Sequence, residues 1–312
     1  MLSRVAERLY WMARYIERVE NTARLVNVYA NVLLDLPHIN RLGWRPLVEI
    51  TASDALFDQH YRRSDERSIS KFLLGEDSNP GSILACLSQA RENVRTTRDR
   101  VPLEVWEQIN ELFHYAQDNL SSAISRRGRY PFLKEIILGC QQMTGMIFGT
   151  MSHDRAYDFI RIGRNLERAD MTTRILDAGA SNLIHNQPSD LTPFDNILWM
   201  SVLHSLGAYQ MYRLHVRNRV RGADVVAYLL QDRQFPRAVH ACLDDISGSL
   251  KGLPNNQTPL RAVARLRRRV VQARIPSLLN GGLHDFIDKL QRDIGSIHHA
   301  VTETWFLLDK SA

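Results

Sequence analysis

Residues 13–25, reading Ala-Arg-Tyr-Ile-Glu-Arg-Val-Glu-Asn-Thr-Ala-Arg-Leu, return 150 positions later as Gly-Arg-Asn-Leu-Glu-Arg-Ala-Asp-Met-Thr-Thr-Arg-Ile at 163–175. The likeness continues in order, pairing Trp44 with Trp199, His60 with His215, Arg62 with Arg217, Phe72 with Tyr228, Pro80 with Pro236 and Cys86 with Cys242. The offset drifts only from 150 to 156, which a few loop insertions explain. A repeat of this length constrains the architecture before any single helix is considered, since each copy has an apolar face to cover and the other copy is at hand. The expectation is a tandem duplication, with a first repeat over 1–150 and a second over 151–312, packed about a pseudo-twofold axis in one compact body.

Each repeat reads as helical. Apolar residues recur at three- and four-residue spacing over 2–33, 44–60, 80–98, 102–127 and 131–150, and again over 152–183, 194–217, 236–252, 259–275 and 283–308. Asn79-Pro80, Thr192-Pro193 and Thr258-Pro259 each offer an N-cap followed by proline at the first helical position. Short pieces near 66–74 and 223–230 read as single-turn helices, and Leu36-Pro37-His38 as a loop. No run sustains the two-residue period of a strand, so the fold class expected is all-α, a helical bundle. With 44% hydrophobic residues the chain can bury a sizeable core. No stretch reaches the ~18 uninterrupted apolar residues of a membrane span. The opening Met1-Leu2-Ser3-Arg4-Val5-Ala6-Glu7-Arg8 lacks the apolar block of a signal peptide, and the cytoplasm is the expected location.

The repeated segment carries a charged stripe. At 100° per residue, Arg14, Glu17, Arg18, Asn21 and Arg24 fall within an arc of roughly 120°, with Met12, Ile16, Val19, Ala23 and Val26 on the core-facing side. Arg164, Glu167, Arg168 and Arg174 hold the equivalent places, and Asp170 stands where Glu20 did. Glu20 precedes Arg24, and Asp170 precedes Arg174, by the four residues of an ordinary helix pair. Of forty basic residues only five are lysine, leaving thirty-five arginines, a bias that a GC-rich genome or a demand for bidentate pairing would each produce. Three readings of the stripe stand side by side. It is a solvated face; or Glu17 and Glu167 each pair with an arginine of the other repeat and set how the repeats dock; or it binds a ligand. Six stripe arginines face four stripe acids, so full mutual pairing leaves two guanidiniums in want of an anion.

The opening Met1-Leu2-Ser3-Arg4, then Leu9-Tyr10-Trp11, Arg14-Tyr15-Ile16-Glu17-Arg18 and Glu20-Asn21-Thr22-Ala23-Arg24-Leu25, resembles the bacterial alpha-E family, named for predicted helices and a Glu-Arg motif. The resemblance spans essentially the whole chain and includes the segment Asp232-Arg233-Gln234-Phe235-Pro236-Arg237. It implies the company of circularly permuted ATP-grasp ligases and transglutaminase-like proteins, and hence a role in making or modifying peptide or amide bonds. Met171 departs from the Asn at position 21, which breaks any strictly symmetric role for Asn21.

Other constellations carry less. Glu111 and His114 have the spacing of half a bundle di-iron centre, without the second copy such a centre needs. His298 and His299 point about 100° apart and cannot share a metal. His60 and His215 read as helix-end histidines, with anion binding as a secondary role. Cys86 and Cys242 read as core, and Gly281-Gly282 as a turn between helices rather than a nucleotide cradle. The basic runs at 126–129 and 267–269 lack interleaved aromatics, which argues against nucleic acid. No metal, cofactor or catalytic nucleophile is indicated. The function expected is that of a helical accessory of an ATP-grasp-type peptide or amide ligase, binding a carboxylate, a phosphate or the ligase itself. The residues expected to do so are Arg14, Glu17, Arg18, Arg24, Arg164, Glu167, Arg168 and Arg174, with Glu20, Asp170, His60 and His215 secondary. An enzyme acting on a peptide or amide bond, and a scaffold whose motifs only dock the repeats, are the alternatives.

Overall fold

Ser3–Asp35 contains neither glycine nor proline, and its apolar residues keep a helical period throughout, so it forms one uninterrupted 33-residue helix, α1. The computed structural model describes residues 3–35, 43–184 and 195–307. Within them, short helices α2 (Pro46–Ile50), α3 (Asp54–His60) and α4 (Glu66–Gly75) follow, then α5 (Ile83–Arg95), α6 (Leu103–Ala123) and α7 (Arg126–Thr150). The second half runs α8 (Arg155–Ile184), α9 (Asp195–Ser205), α10 (Tyr209–Val216), α11 (Gly222–Gln231), α12 (Val239–Lys251), α13 (Gln257–Val271), α14 (Ile275–Leu279) and α15 (Leu283–Trp305). There is no strand among the described residues, and no helix there is long and apolar enough to cross a membrane.

The two longest helices, α1 and α8, lie against each other at the centre. Helices α5 and α7 flank α1, with α6 bridging them; α12 and α15 flank α8, with α13 bridging them. Smaller elements cross over: α2 rests on α8, and α9 on α1. One continuous cluster of buried apolar side chains joins residues of both halves, from Leu9, Met12 and Val19 to Leu166, Ala169 and Leu176. Close approach of α1 to α8 depends on Gly163, where a Cβ would strike the backbone carbonyl of Tyr10.

Several boundaries differ from the sequence reading. The expected helix over 44–60 is two, because the chain turns at Ala52 with φ +52°; the one over 194–217 is likewise divided at Gly207, φ +62°. A left-handed residue ends the i to i−4 ladder whatever the apolar period beyond it. Ser82, not Asn79, caps α5, its hydroxyl accepting from the Ala85 N–H at 3.2 Å, while Asn79 turns inward to the Phe72 carbonyl. Helix α13 begins at Gln257, ahead of Thr258-Pro259, and Pro131 lies inside α7, which Ser125 caps five residues earlier than expected. The short helices α4 and α11 each run ten residues rather than one turn. Thr192-Pro193 and Leu36-Pro37-His38 lie outside the described residues.

Candidate functional site

The charged stripes of α1 and α8 face each other. Glu17 and Glu167 are each 2% exposed, and Leu25 and Ile175 in the same arcs are buried too, so the stripe is not a solvated face. Each glutamate crosses the interface. Glu167 accepts from Arg18 Nε at 2.6 Å and Nη2 at 3.0 Å, and from Arg14 Nε at 2.7 Å. Glu17 accepts from Arg168 Nη2 at 2.8 Å and Nε at 3.1 Å. The i,i+4 pairs form as their spacing predicts: Arg24 Nε donates to Glu20 at 2.8 Å, and Arg174 Nε to Asp170 at 2.7 Å.

One participant is absent from the site residues expected from sequence. Arg237, 8% exposed and just before α12, sends Nη1 to Glu17 and to Asn21, both at 2.6 Å, and Nη2 to Glu20 at 2.9 Å. Nothing in its helical period marks it. The available signals lay in the family-like segment that ends at Arg237, and in the likeness of the two halves, where Pro80 matches Pro236 but the next residue is Gly81 in one and Arg237 in the other. Arg164 is the converse. It occupies the place of Arg14, yet its guanidinium makes no hydrogen bond among the described residues and its Nε is buried without a partner. Burial, then repulsion from Arg168, lowers its pKa.

Electrostatics follow from this geometry. Burial alone would raise the Glu17 carboxyl, but Arg168 and Arg237 outweigh it and bring it down to about 2. Glu167 is likewise held below the carboxylate range, burial being overcome by Arg14 and Arg18. Burial pushes the Cys86 and Cys242 thiols up to about 12; both are core residues, each donating to the carbonyl of its own half's proline, Pro80 or Pro236, at 3.4 Å.

Two cavities flank the seam. One, of about 270 Å³, is lined by Glu20, Arg24, Arg168, Gly207 and Arg237. The other, of about 380 Å³, is lined by Arg18, Thr22, Gly81, Glu167, Asp170 and Arg174. His60 and His215 stand apart from both, exposed at the ends of α3 and α10. Glu111 and His114 are exposed on α6, and among the described residues no group of three or more His, Cys, Asp or Glu is placed to hold a metal.

The chain is 24% identical over 288 residues to uncharacterized proteins of Mycobacterium bovis and of Mycobacterium tuberculosis strain CDC 1551, covering 86% of this chain and 32% of theirs. The chain therefore spans about a third of the length of the curated relatives it matches. No solved structure matches it. The family model described as a predicted alpha-helical domain with a conserved ER motif matches residues 1–306, and the chain belongs to this alpha-E family.

Proposed function

We propose that the chain is a tandem pair of alpha-E repeats, 1–150 and 151–312, related by a pseudo-twofold axis, and that it works in the cytoplasm as a helical accessory of an ATP-grasp-type peptide or amide ligase. The seam between α1 and α8 is the recognition element, presenting guanidiniums to a carboxylate, a phosphate or an acidic group of the ligase. The partners follow from the family resemblance: a circularly permuted ATP-grasp ligase, with a transglutaminase-like protein beside it. The long mycobacterial relatives, in which the matching part is a third of the chain, fit a helical body that works next to other domains.

The observation that carries the binding reading is the excess of arginine at the 270 Å³ cavity. Arg24, Arg168 and Arg237 converge there, with the half-buried Arg164 close enough to Glu17 to feel its charge, against the two carboxylates Glu17 and Glu20. Four positive charges less two negative leaves a surplus that an anion would relieve. The scaffold reading has its own support in the burial of both cross-paired carboxylates. The enzyme reading is weaker, because arginines hold Glu17 and Glu167 ionised at a pKa too low for an efficient base at neutral pH.

Calorimetric titration with inorganic phosphate and with acetyl-alanyl-alanine, a peptide carboxylate, tests the reading. Arg24→Gln removes a rim guanidinium while Arg237 keeps Glu20 paired. Binding to the wild type, weakened about tenfold or more in the variant, is expected. Equal binding by both proteins, or none by the wild type, removes the anion site.

A further inference from the structure

The two seam cavities are lined by matching residues. Arg168, Arg24, Glu20 and Gly207 around one correspond to Arg18, Arg174, Asp170 and Ala52 around the other, and Gly207 and Ala52 share a left-handed backbone. They differ where Arg237 of one corresponds to Gly81 of the other. In the second half the Arg237 side chain fills the space, clamped between the carboxylates Glu17 and Glu20. In the first half the arginine is missing and the cavity is larger, about 380 Å³ against about 270 Å³.

What the missing side chain leaves behind keeps two of its three acceptors, since Met171 lines the cavity where Asn21 accepts from Arg237 in the other half. Glu167 and Asp170 stand where Glu17 and Glu20 stand in the other half, and both line the larger cavity. Each glutamate takes three donors, but Glu17 takes its third from Arg237 on Oε1, whereas Glu167 takes its third from Arg14 on Oε2, so among the described residues Glu167 Oε1 has one donor, Arg18 Nε. Among the described residues Asp170 Oδ1 has no partner, its other oxygen taking Arg174. Thr22, 1% exposed, lines the cavity with a hydroxyl that is buried and unpartnered among the described residues, while the matching Thr172 donates to the Arg237 carbonyl at 2.9 Å. A buried hydroxyl without a partner is costly and points to an occupant.

Charge agrees. The filled side holds Arg24, Arg164, Arg168 and Arg237 around two acids; the open side holds Arg14, Arg18 and Arg174 around two. The filled side thus shows that this fold accommodates a fourth guanidinium around two acids, the number the open side would hold with one guest. We infer that the cavity beside Gly81 is a receptor for a guanidinium carried on a peptide side chain, held between Glu167 and Asp170 as Arg237 is held between Glu17 and Glu20. Access is from solvent, through the rim formed by Arg18 and Arg174, each 26% exposed. The inference rests on the duplication proposed above, because that duplication is what equates Gly81 with Arg237.

The test titrates the whole chain with acetyl-Gly-Arg-Gly-amide, acetyl-Gly-Glu-Gly-amide, agmatine and inorganic phosphate, and repeats this on Gly81→Arg and Asp170→Asn. A Cβ at Gly81 meets only the Asn79 side-chain oxygen, at 3.2 Å, so the arginine variant can supply its own occupant. The arginine peptide is expected to bind the wild type, to bind Asp170→Asn at least about tenfold more weakly, and not to bind Gly81→Arg, whose Tm rises. Failure of the arginine peptide to bind, equal binding by all three proteins, or agmatine binding more tightly than the peptide overturns the receptor, as does phosphate binding that Gly81→Arg abolishes. The duplication is judged separately by Tm. A rise in Gly81→Arg without peptide binding ends the receptor but leaves the repeats equivalent. A fall in Tm together with retained peptide binding ends the equivalence and the receptor with it.

Discussion

Glu17 of α1 and Arg168 of α8 meet through a two-pronged ion pair, Nη2 to Oε2 at 2.8 Å and Nε to Oε1 at 3.1 Å, and the carboxylate is almost wholly removed from water. Arg237 adds a third donor to the same carboxylate. Glu17→Gln would leave two largely buried guanidiniums without their shared counter-charge. Breaking a buried pair in this one-sided way costs about 3–5 kcal/mol. Urea unfolding is expected to show a loss of that size, and a loss under about 1 kcal/mol contradicts a buried pair.

Acid should find the same carboxylates. Glu17 falls from the usual 4.5 to about 2 on folding, and Glu167 moves the same way. A carboxylate lowered by folding contributes stability that is in place above its unfolded pKa and drains away as pH drops through the folded one. Unfolding free energy should therefore decline between about pH 4.5 and 2, with a shallower slope in Glu17→Gln. Identical slopes for the two proteins would show that Glu17 does not contribute to the acid transition.

The orphaned Arg164 should behave opposite to its counterpart Arg14. Arg14 supports Glu167 and lies over the Trp11 ring, 4.9 Å from its centroid. Arg164→Met removes a desolvated charge with no hydrogen-bond partner among the described residues, so stability should hold or rise by up to about 1 kcal/mol. Arg14→Met should cost about 1–3 kcal/mol, since it strips a charged hydrogen bond from a buried acid. Paired Tm measurements separate them, and equal losses contradict the asymmetry.

A histidine on the last helix should stay neutral well below its usual range. Burial first, then Arg14 and His299, lowers His298 from 6.5 to about 4, and the Tyr10 hydroxyl, kept protonated by burial, shares a hydrogen bond with His298 Nδ1 at 2.8 Å. Folding thus excludes a proton that the unfolded chain binds, and this part of the stability is lost as pH falls from about 6.5 toward 4. Proton NMR of the His298 ring should show its inflection below about pH 5. An inflection near 6.5 means that the ring is solvated.

Gly163→Ala should be destabilising by about 1–3 kcal/mol, because the new Cβ has only the Tyr10 backbone to push against and a backbone cannot rotate away. The equivalent residue of α1 is already an alanine, Ala13. Chemical denaturation checks this, and a neutral effect means that α1 and α8 are spaced more widely than described.

Helicity, the membership of the buried faces and the two motif helices were all legible in the chain itself. They depend on spacing within one helix, where 3.6 residues per turn place Met12, Ile16 and Val19 on one side and Arg14, Glu17 and Arg18 on another. The Glu20–Arg24 and Asp170–Arg174 pairs were legible for the same reason. Helix breaks at Ala52 and Gly207 escaped, since a single left-handed residue does not disturb an apolar period. Only the tertiary structure decided which arginine meets which acid. Arg237 lies 220 residues from Glu17 and displaces Arg164 from the partner that the repeat would assign it. Short-range periodicity carries no information about such a meeting. It depends on how two helices dock, and on whether an arginine or a glycine follows one proline.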